Sequence, residues 1–208
     1  MVYEQSDFTK LIDVTDEAFE KIETYHELLL KWNKAINLVS PKTINQAWHR
    51  HFIDSAQLSK ILPDGIKIYA DLGCGGGFPG MVLAIMHPEI TVHLVESDER
   101  KGQFMRTVAR ETGTKNVKIH TKRVEAAIND FCPDFVSARA LSSLENLFDY
   151  CLPWAEENKD LKFCFLKGER ADDEISEAKK RYSFEYKSIQ SITDNSAQLL
   201  FIEKLTCA

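Results

Sequence analysis

The most reactive arrangement of side chains and glycines in this chain centres on one stretch, Asp71 to Gly80, which reads DLGCGGGFPG. It lies between the apolar run Ile66 to Ala70 and the helix-forming run Met81 to His87, the pattern of a strand, a tight loop and a helix start. Glycines let the backbone take positive φ and let a ligand approach the main chain, while the helix beyond presents unpaired N–H groups and a partial positive charge. Pro79 suits the first turn of that helix, where a missing N–H costs nothing. Such a junction binds small polar or anionic ligands. Gly75, Gly77 and Gly80 also satisfy G-x-G-x-x-G, the dinucleotide signature. Asp71, however, ends the strand where a carboxylate can reach a cationic or amino-bearing ligand head and would repel a pyrophosphate. Ile90 to Val95 reads as the next strand and stops at Glu96, placed to accept hydrogen bonds from ribose hydroxyls of either ligand.

Three cations follow at the same edge of the expected sheet. Arg123 sits in the turn after the short strand Val117 to His120, beside Val124 and Glu125, and that turn faces the same crevice as Gly73. Arg139 leaves the strand Asp134 to Arg139, where an apolar filler would be the ordinary residue. It can pair with Asp71 or Glu96, or it can hold a carboxylate or phosphate through its bidentate fork. Lys167 closes the strand Asp160 to Lys167 and joins the set. Cys74 lies in the glycine loop with no histidine near it in sequence to activate it, so it reads as a small loop residue. The five cysteines are scattered without C-x-x-C or Cys/His pairs at metal spacing, so reduced thiols and no metal site are expected.

These residues need elements to position them. Thr15 or Asp16 can cap a helix whose apolar residues recur at three- and four-residue steps from Phe19 through Tyr25 to Ile36. Asn37 to Thr43 breaks it, with Pro41 forbidding continuation. A second helix is expected from about Ile44, carrying Trp48 and Phe52, until Pro63-Asp64-Gly65 turns the chain. Residues 1–64 thus read as an N-terminal helical extension and 65–208 as one compact unit. The extension can cap the sheet or shape a substrate cleft with Asn33, Asn37, Ser40, Arg50, His51 and Asp54, of which His51 and Asp54 read more readily as structural. Strands fall near residues 66, 91, 117, 134, 161, 184 and 198, with helices between the first six. Among those helices, Asp98 to Thr112 is stopped by Gly113 and Leu144 to Tyr150 ends near Pro153. The alternation predicts an α/β fold, a parallel sheet with helices on both faces, to which the final hairpin adds one antiparallel strand.

With the motif D-x-G-x-G-x-G, the chain resembles S-adenosylmethionine-dependent methyltransferases. The longer DLGCGGGFPG, with WNKAINLVS and RHFIDS before it, resembles more narrowly the bacterial 16S rRNA guanine-N7 methyltransferases, also called the glucose-inhibited division protein B or RsmG family. The resemblance runs from the first helix nearly to the C-terminus. It implies a class I, Rossmann-like methyltransferase with a seven-strand, mostly parallel sheet, and S-adenosylmethionine as cofactor. It implies methyl transfer to N7 of a guanine in 16S rRNA, in a decoding-region loop of the small ribosomal subunit. The cofactor residues carried over are Asp71, Gly73, Gly75, Gly77, Phe78, Glu96, Val124, Glu125 and Arg139, with main-chain groups at Val124 and Glu125 on the adenine. Arg123, Arg139 and Lys167 are carried over as residues of the catalytic cleft, Arg139 orienting the cofactor and Arg123 and Lys167 contacting RNA. One departure is plain. Family members commonly carry an arginine just before the last apolar strand, whereas this chain has Asn195-Ser196-Ala197-Gln198-Leu199.

Composition bounds these readings. A length of 208 residues allows one α/β domain with an extension. The net charge of −6 counts against a protein that coats bare nucleic acid while permitting a local basic face. No apolar run is long enough to span a membrane, and the N-terminus lacks the pattern of a signal peptide, so a cytoplasmic monomer is expected. Its expected partner is 16S rRNA within a small-subunit particle. The string N/D-P-P-Y/F, used by many methyltransferases of exocyclic amines, is missing. A methyltransferase of a small molecule and an NAD-binding module built on G-x-G-x-x-G remain the alternatives.

Overall fold

The computed structural model describes residues 2–208. Its N-terminal part is helical. Helix α1 (Gln5–Leu11) is closed at its start by reciprocal bonds between Glu4 and Asp7 and buries Phe8. Helix α2 (Asp16–Trp32) is capped by Thr15, whose side chain accepts from the Ala18 N–H, and buries Ala18, Ile22, Tyr25 and Leu29 along one stripe. It stops four residues short of the Ile36 limit that periodicity suggests, because the Asn33 side chain takes the N–H groups of Leu38 and Val39 and turns the chain.

The second expected helix is present in pieces. A 3₁₀ turn at Ile44–Gln46 leads to a π-helical turn at Trp48–Ile53, then α3 (Asp54–Ala56) and a 3₁₀ turn at Gln57–Ile61. Widened helical turns of this kind re-aim side chains; here Trp48, His49, His51, Phe52 and Ile53 are all buried.

Among the described residues, strands β1 (Ile68–Leu72), β2 (Thr91–Val95), β3 (Val117–His120), β4 (Phe135–Arg139), β5 (Lys162–Lys167), β6 (Tyr182–Gln190) and β7 (Gln198–Cys207) form one sheet. Its order is β3-β2-β1-β4-β5-β7-β6, with β7 antiparallel to both its neighbours and the pairs from β3 to β5 parallel. The crossovers are α4 (Gly80–Met86), α5 (Glu99–Glu111), α6 (Val124–Ala127), α7 (Leu144–Glu157) and α8 (Ala171–Ala178). Gly113, in a left-handed conformation, stops α5 as the sequence suggests. Helix α7 does not end at Pro153 but runs through it to Glu157, held by a buried face that includes Phe148, Cys151 and Trp154.

The sheet separates two cores. On one side α4 and α5 pack with the helical extension, so that Phe8, Tyr25, Leu29 and Phe52 share a cluster with Tyr69, Met81 and Phe104. On the other side α6, α7 and α8 cover Ala70, Leu72, Val136 and Phe165. Strand order reverses between β1 and β4, and in open sheets that reversal opens a crevice at the carboxyl ends of the strands. Asp71 is paired in register with Ser137 and Leu72 with Ala138. Strand β1 therefore runs two residues further than its apolar run, and Asp71 lies inside it. No helix among the described residues is long and apolar enough to cross a membrane.

Candidate functional site

The loop from Gly73 to Pro79 leaves β1 and enters α4. It is coiled on itself: the Cys74 carbonyl accepts from Gly77 and Phe78, and the Gly77 carbonyl from Met81. Two contacts show why alanine would not serve. A Cβ on Gly77, whose φ is +96°, would come within 2.8 Å of the Tyr25 hydroxyl oxygen. One on Gly80 would lie 2.4 Å from Leu94 Cδ2 and 2.7 Å from Asp71 Cβ.

Asp71 is turned inward, away from any ligand head. It is fully buried, with Oδ2 accepting from the Gly80 N–H at 2.7 Å and Oδ1 from the Ser137 hydroxyl at 2.8 Å. Tyr69 extends the chain through Ser137 at 2.6 Å. Burial pushes the Asp71 carboxyl up to about 7, against the pull of Ser137, Gly80 and Arg139. Asp71 therefore ties the start of α4 to β1 and β4 and shapes the loop from beneath. Cys74 is buried, its thiol raised well above the ordinary range by burial and by Asp71 and Glu96, so it is no nucleophile.

Glu96 does face the crevice. It accepts from the Gly75 N–H at 3.0 Å and the Asp98 N–H at 2.9 Å, one on each oxygen, and keeps further lone pairs free. Lys101 stands 3.8 Å away. Together with Gly73, Gly75, Arg123, Val124 and Glu125, Glu96 lines a pocket of about 300 Å³. Val124 and Glu125 are the first residues of α6, where leading N–H groups have no helical acceptor. Arg123, just before them, is exposed.

A larger pocket of about 540 Å³ adjoins it, and the two share Gly73, Gly75 and Ala140. Its walls come from far apart in the chain: Phe78, Arg139 and Lys167 from the core, Arg50, His51 and Asp54 from the extension, and Thr193 and Asp194 from the loop between β6 and β7. Ala140, at the junction, holds φ at +53°, a conformation that costs a non-glycine residue about 1 kcal/mol. Phe78 is buried between the Tyr25 ring, stacked at 5.2 Å and 13°, and the Arg139 guanidinium, 5.3 Å from its centroid. The Tyr25 hydroxyl also donates to the Gly76 carbonyl.

Arg139 pairs with neither Asp71 nor Glu96. Its Nη1 donates to Asp54 Oδ2 at 3.1 Å and to the Arg50 carbonyl at 2.9 Å, and its Nη2 to His51 Nδ1 at 3.2 Å. The last bond fixes a tautomer. The Thr43 hydroxyl gives its proton to the Ser40 carbonyl, so His51 Nε2 must donate to Thr43 at 2.9 Å, which leaves Nδ1 as an acceptor. Burial, with Arg139 and Arg50 adding to it, holds the imidazole neutral by lowering it to about 3.

Lys167 is buried too. Its ammonium donates to Glu174 and to the Ser142 carbonyl, both at 2.7 Å, which leaves one of three N–H groups. The structure thus brings Gly73, Gly75, Phe78, Arg139 and Lys167 to the larger pocket, and Glu96, Arg123, Val124 and Glu125 to the smaller. Asp71 and Gly77 support the floor. Thr193 also lines the site and Tyr25 backs it, neither singled out by the sequence, while His51 and Asp54, expected chiefly as structural, line the larger pocket. Arg50 and Asp54, four residues apart, carried a spacing signal; Tyr25 carried none beyond its place in an apolar stripe. The two joined pockets leave room for one elongated ligand, with the free lone pairs of Glu96 and the first turn of α6 at one end and the Arg139 guanidinium at the other.

Comparison with known proteins agrees. The family described as rRNA small subunit methyltransferase G matches residues 18–202. A ribosomal RNA small subunit methyltransferase G of Allorhizobium ampelinum is 41% identical over 196 residues, 92% of this chain and 92% of that protein. One of Parvibaculum lavamentivorans is 41% identical over 209 residues, 98% and 91% of the two. Among solved structures, a mutant of MtNAS in complex with S-adenosylmethionine aligns with a TM-score of 0.59 at 14% identity, over 88% of this chain and 75% of that one. A fibrillarin/Nop5p complex gives 0.58 at 12% identity, over 75% and 82%. At such identities the structural likeness concerns the fold, a Rossmann-like α/β sheet.

Proposed function

The chain belongs to the rRNA small subunit methyltransferase G family, and from that premise we propose that it transfers a methyl group from S-adenosylmethionine to N7 of a guanine in 16S rRNA. The observation that carries this reading is the pair of joined pockets over the glycine loop, with Glu96 and the start of α6 in the smaller and the Arg139 guanidinium in the larger. When bound, S-adenosylmethionine supplies an electrophilic methyl on a sulfonium. Guanine N7 offers a lone pair in the ring plane, so the chain needs no general base; its task is to align two reactants and exclude water. Glu96 takes ribose hydroxyls with its free lone pairs, and the first-turn main chain at Val124 and Glu125 holds the adenine. Phe78 and Arg139 line the amino-acid end, where the guanidinium keeps two N–H groups beyond those already bonded and can take a carboxylate. Arg123 and the remaining N–H of Lys167 serve the RNA.

In this reading residues 1–64 act as a helical extension on the unit 65–208, and the chain works as a monomer in the cytoplasm. Its substrate is 16S rRNA within a small-subunit particle, since a net charge of −6 disfavours a hold on naked RNA through phosphates alone. Mass mapping of N7-methylguanosine in 16S rRNA, from cells with and without the protein, tests the proposal. One modification should vanish with the protein. An unchanged map would remove the RNA reading and leave a small-molecule acceptor.

A further inference from the structure

Arg139 precedes Ala140, which both pockets share, yet nothing on its own strand holds it. Every side-chain or carbonyl partner of its guanidinium comes from the helical extension: the Arg50 carbonyl, His51 and Asp54. His51 is neutral and the carbonyl is a dipole, so the matching charge is the Asp54 carboxylate, 3.1 Å from Nη1, with both side chains less than a fifth exposed. A desolvated pair in this setting fixes geometry, because neither partner finds an equal alternative in water.

Asp54 is itself held from a third direction. Its Oδ1 accepts from Thr193 Oγ1 at 2.6 Å and from Gln57 Nε2 at 2.9 Å. Thr193 belongs to the loop between β6 and β7, which walls the larger pocket. Gln57 braces the same loop by accepting from the Ile192 N–H at 3.0 Å and donating to Ser191 at 3.2 Å. Asp54 is thus a two-sided clasp, with Arg139 on one oxygen and the loop on the other.

We propose that Asp54 is a positioning residue, which sets the Arg139 guanidinium over Phe78 in the cofactor-binding orientation and is itself set by Thr193. This rests on the reading above in which Arg139 meets the cofactor. Asp54 touches no reacting atom; it acts through Arg139 alone.

Calorimetric titration of S-adenosylhomocysteine into the full chain tests this in four proteins: wild type, Asp54→Asn, Arg139→Ala and the double variant. Loss of one desolvated ion-pair partner should weaken binding about tenfold in Asp54→Asn. In the Arg139→Ala background the same change should have no further effect, because its target is gone. Equal or tighter binding by Asp54→Asn, or losses that add in the double variant, would overturn the assignment and leave Asp54 a residue of general stability. Should Asp54→Asn fail to melt cooperatively, Thr193→Val removes a donor from the same carboxylate without touching Arg139. It should weaken binding about threefold, again only where Arg139 is present; no weakening overturns the proposal. A wild-type protein that gives no heat with S-adenosylhomocysteine would overturn the methyltransferase reading and this inference with it. Heat in wild type with no change in the variants would overturn this inference alone.

Discussion

Asp71 shows how one buried group can mark both structure and pH response. Its carboxyl titrates near 7 in the folded chain, well above its ordinary value of 3.8. The folded chain therefore binds this proton more tightly than the unfolded one, so its stabilising effect is complete below the ordinary value and is lost as pH rises through about 7. Buried histidines act oppositely: His51, lowered to about 3, and His93, lowered to about 4, cost stability increasingly as pH falls through their ordinary 6.5. Between about pH 6.5 and 8 the Asp71 contribution falls by about 1 kcal/mol, and the histidines, whose unfolded forms still titrate there, work against it. Asp71→Asn lacks this titration, so wild-type stability relative to the variant should fall by about 1 kcal/mol from the lower pH to the higher, while at the lower pH the two should lie within about 1 kcal/mol because the amide, like the protonated carboxyl, offers one acceptor oxygen. Thermal melts at the two pH values check both parts. A second residue-scale test concerns Tyr25. In Tyr25→Phe the ring still stacks on Phe78, but the Gly76 carbonyl loses its donor, so binding of S-adenosylhomocysteine should weaken about fivefold, measured by calorimetry, while the fold persists.

Among the elements, the turn from β1 to α4 has little tolerance for added volume. Gly80→Ala would drive a methyl against Leu94 and Asp71 in a region with no free space, which should cost about 2 kcal/mol and lower the melting temperature by about 6 °C. That turn was legible in the sequence because its signal is local: five glycines between an apolar run and a helix former. The strands, the order of helices between them and the strand-end residues Glu96, Arg139 and Lys167 were legible for the same reason, since period and punctuation lie within short windows. Other features depend on distant partners. Tyr25 meets Gly76 across 51 residues and Asp54 meets Arg139 across 85, and no periodicity reports such pairs. Helix α1 escaped notice because only Phe8 of its seven residues is buried, which leaves no repeating stripe. Continuation of α7 through Pro153 went unread because packing of Phe148, Cys151 and Trp154 outweighs a lost backbone bond there.

On the scale of the whole molecule, the extension and the sheet share one hydrophobic cluster, in which Tyr25, Leu29 and Phe52 are fully buried beside Phe78, Met81 and Phe104. Each such side chain contributes about 1.5–3 kcal/mol by leaving water, and domains of this size keep a net stability of only about 5–15 kcal/mol. A chain shortened to residues 65–208 should therefore fail to melt cooperatively by circular dichroism and should bind an apolar dye. The sheet order carries a further consequence for synthesis. Strand β6 has β7 as its sole sheet neighbour, and β7 also covers the edge of β5. While the ribosome is still extending the chain, β6 emerges with nothing to zip onto, and the β5 border stays open until Gln198–Cys207 slide between them. A nascent chain arrested before Gln198 is then a template for sticking to its neighbours, and completion of this sheet waits on β7.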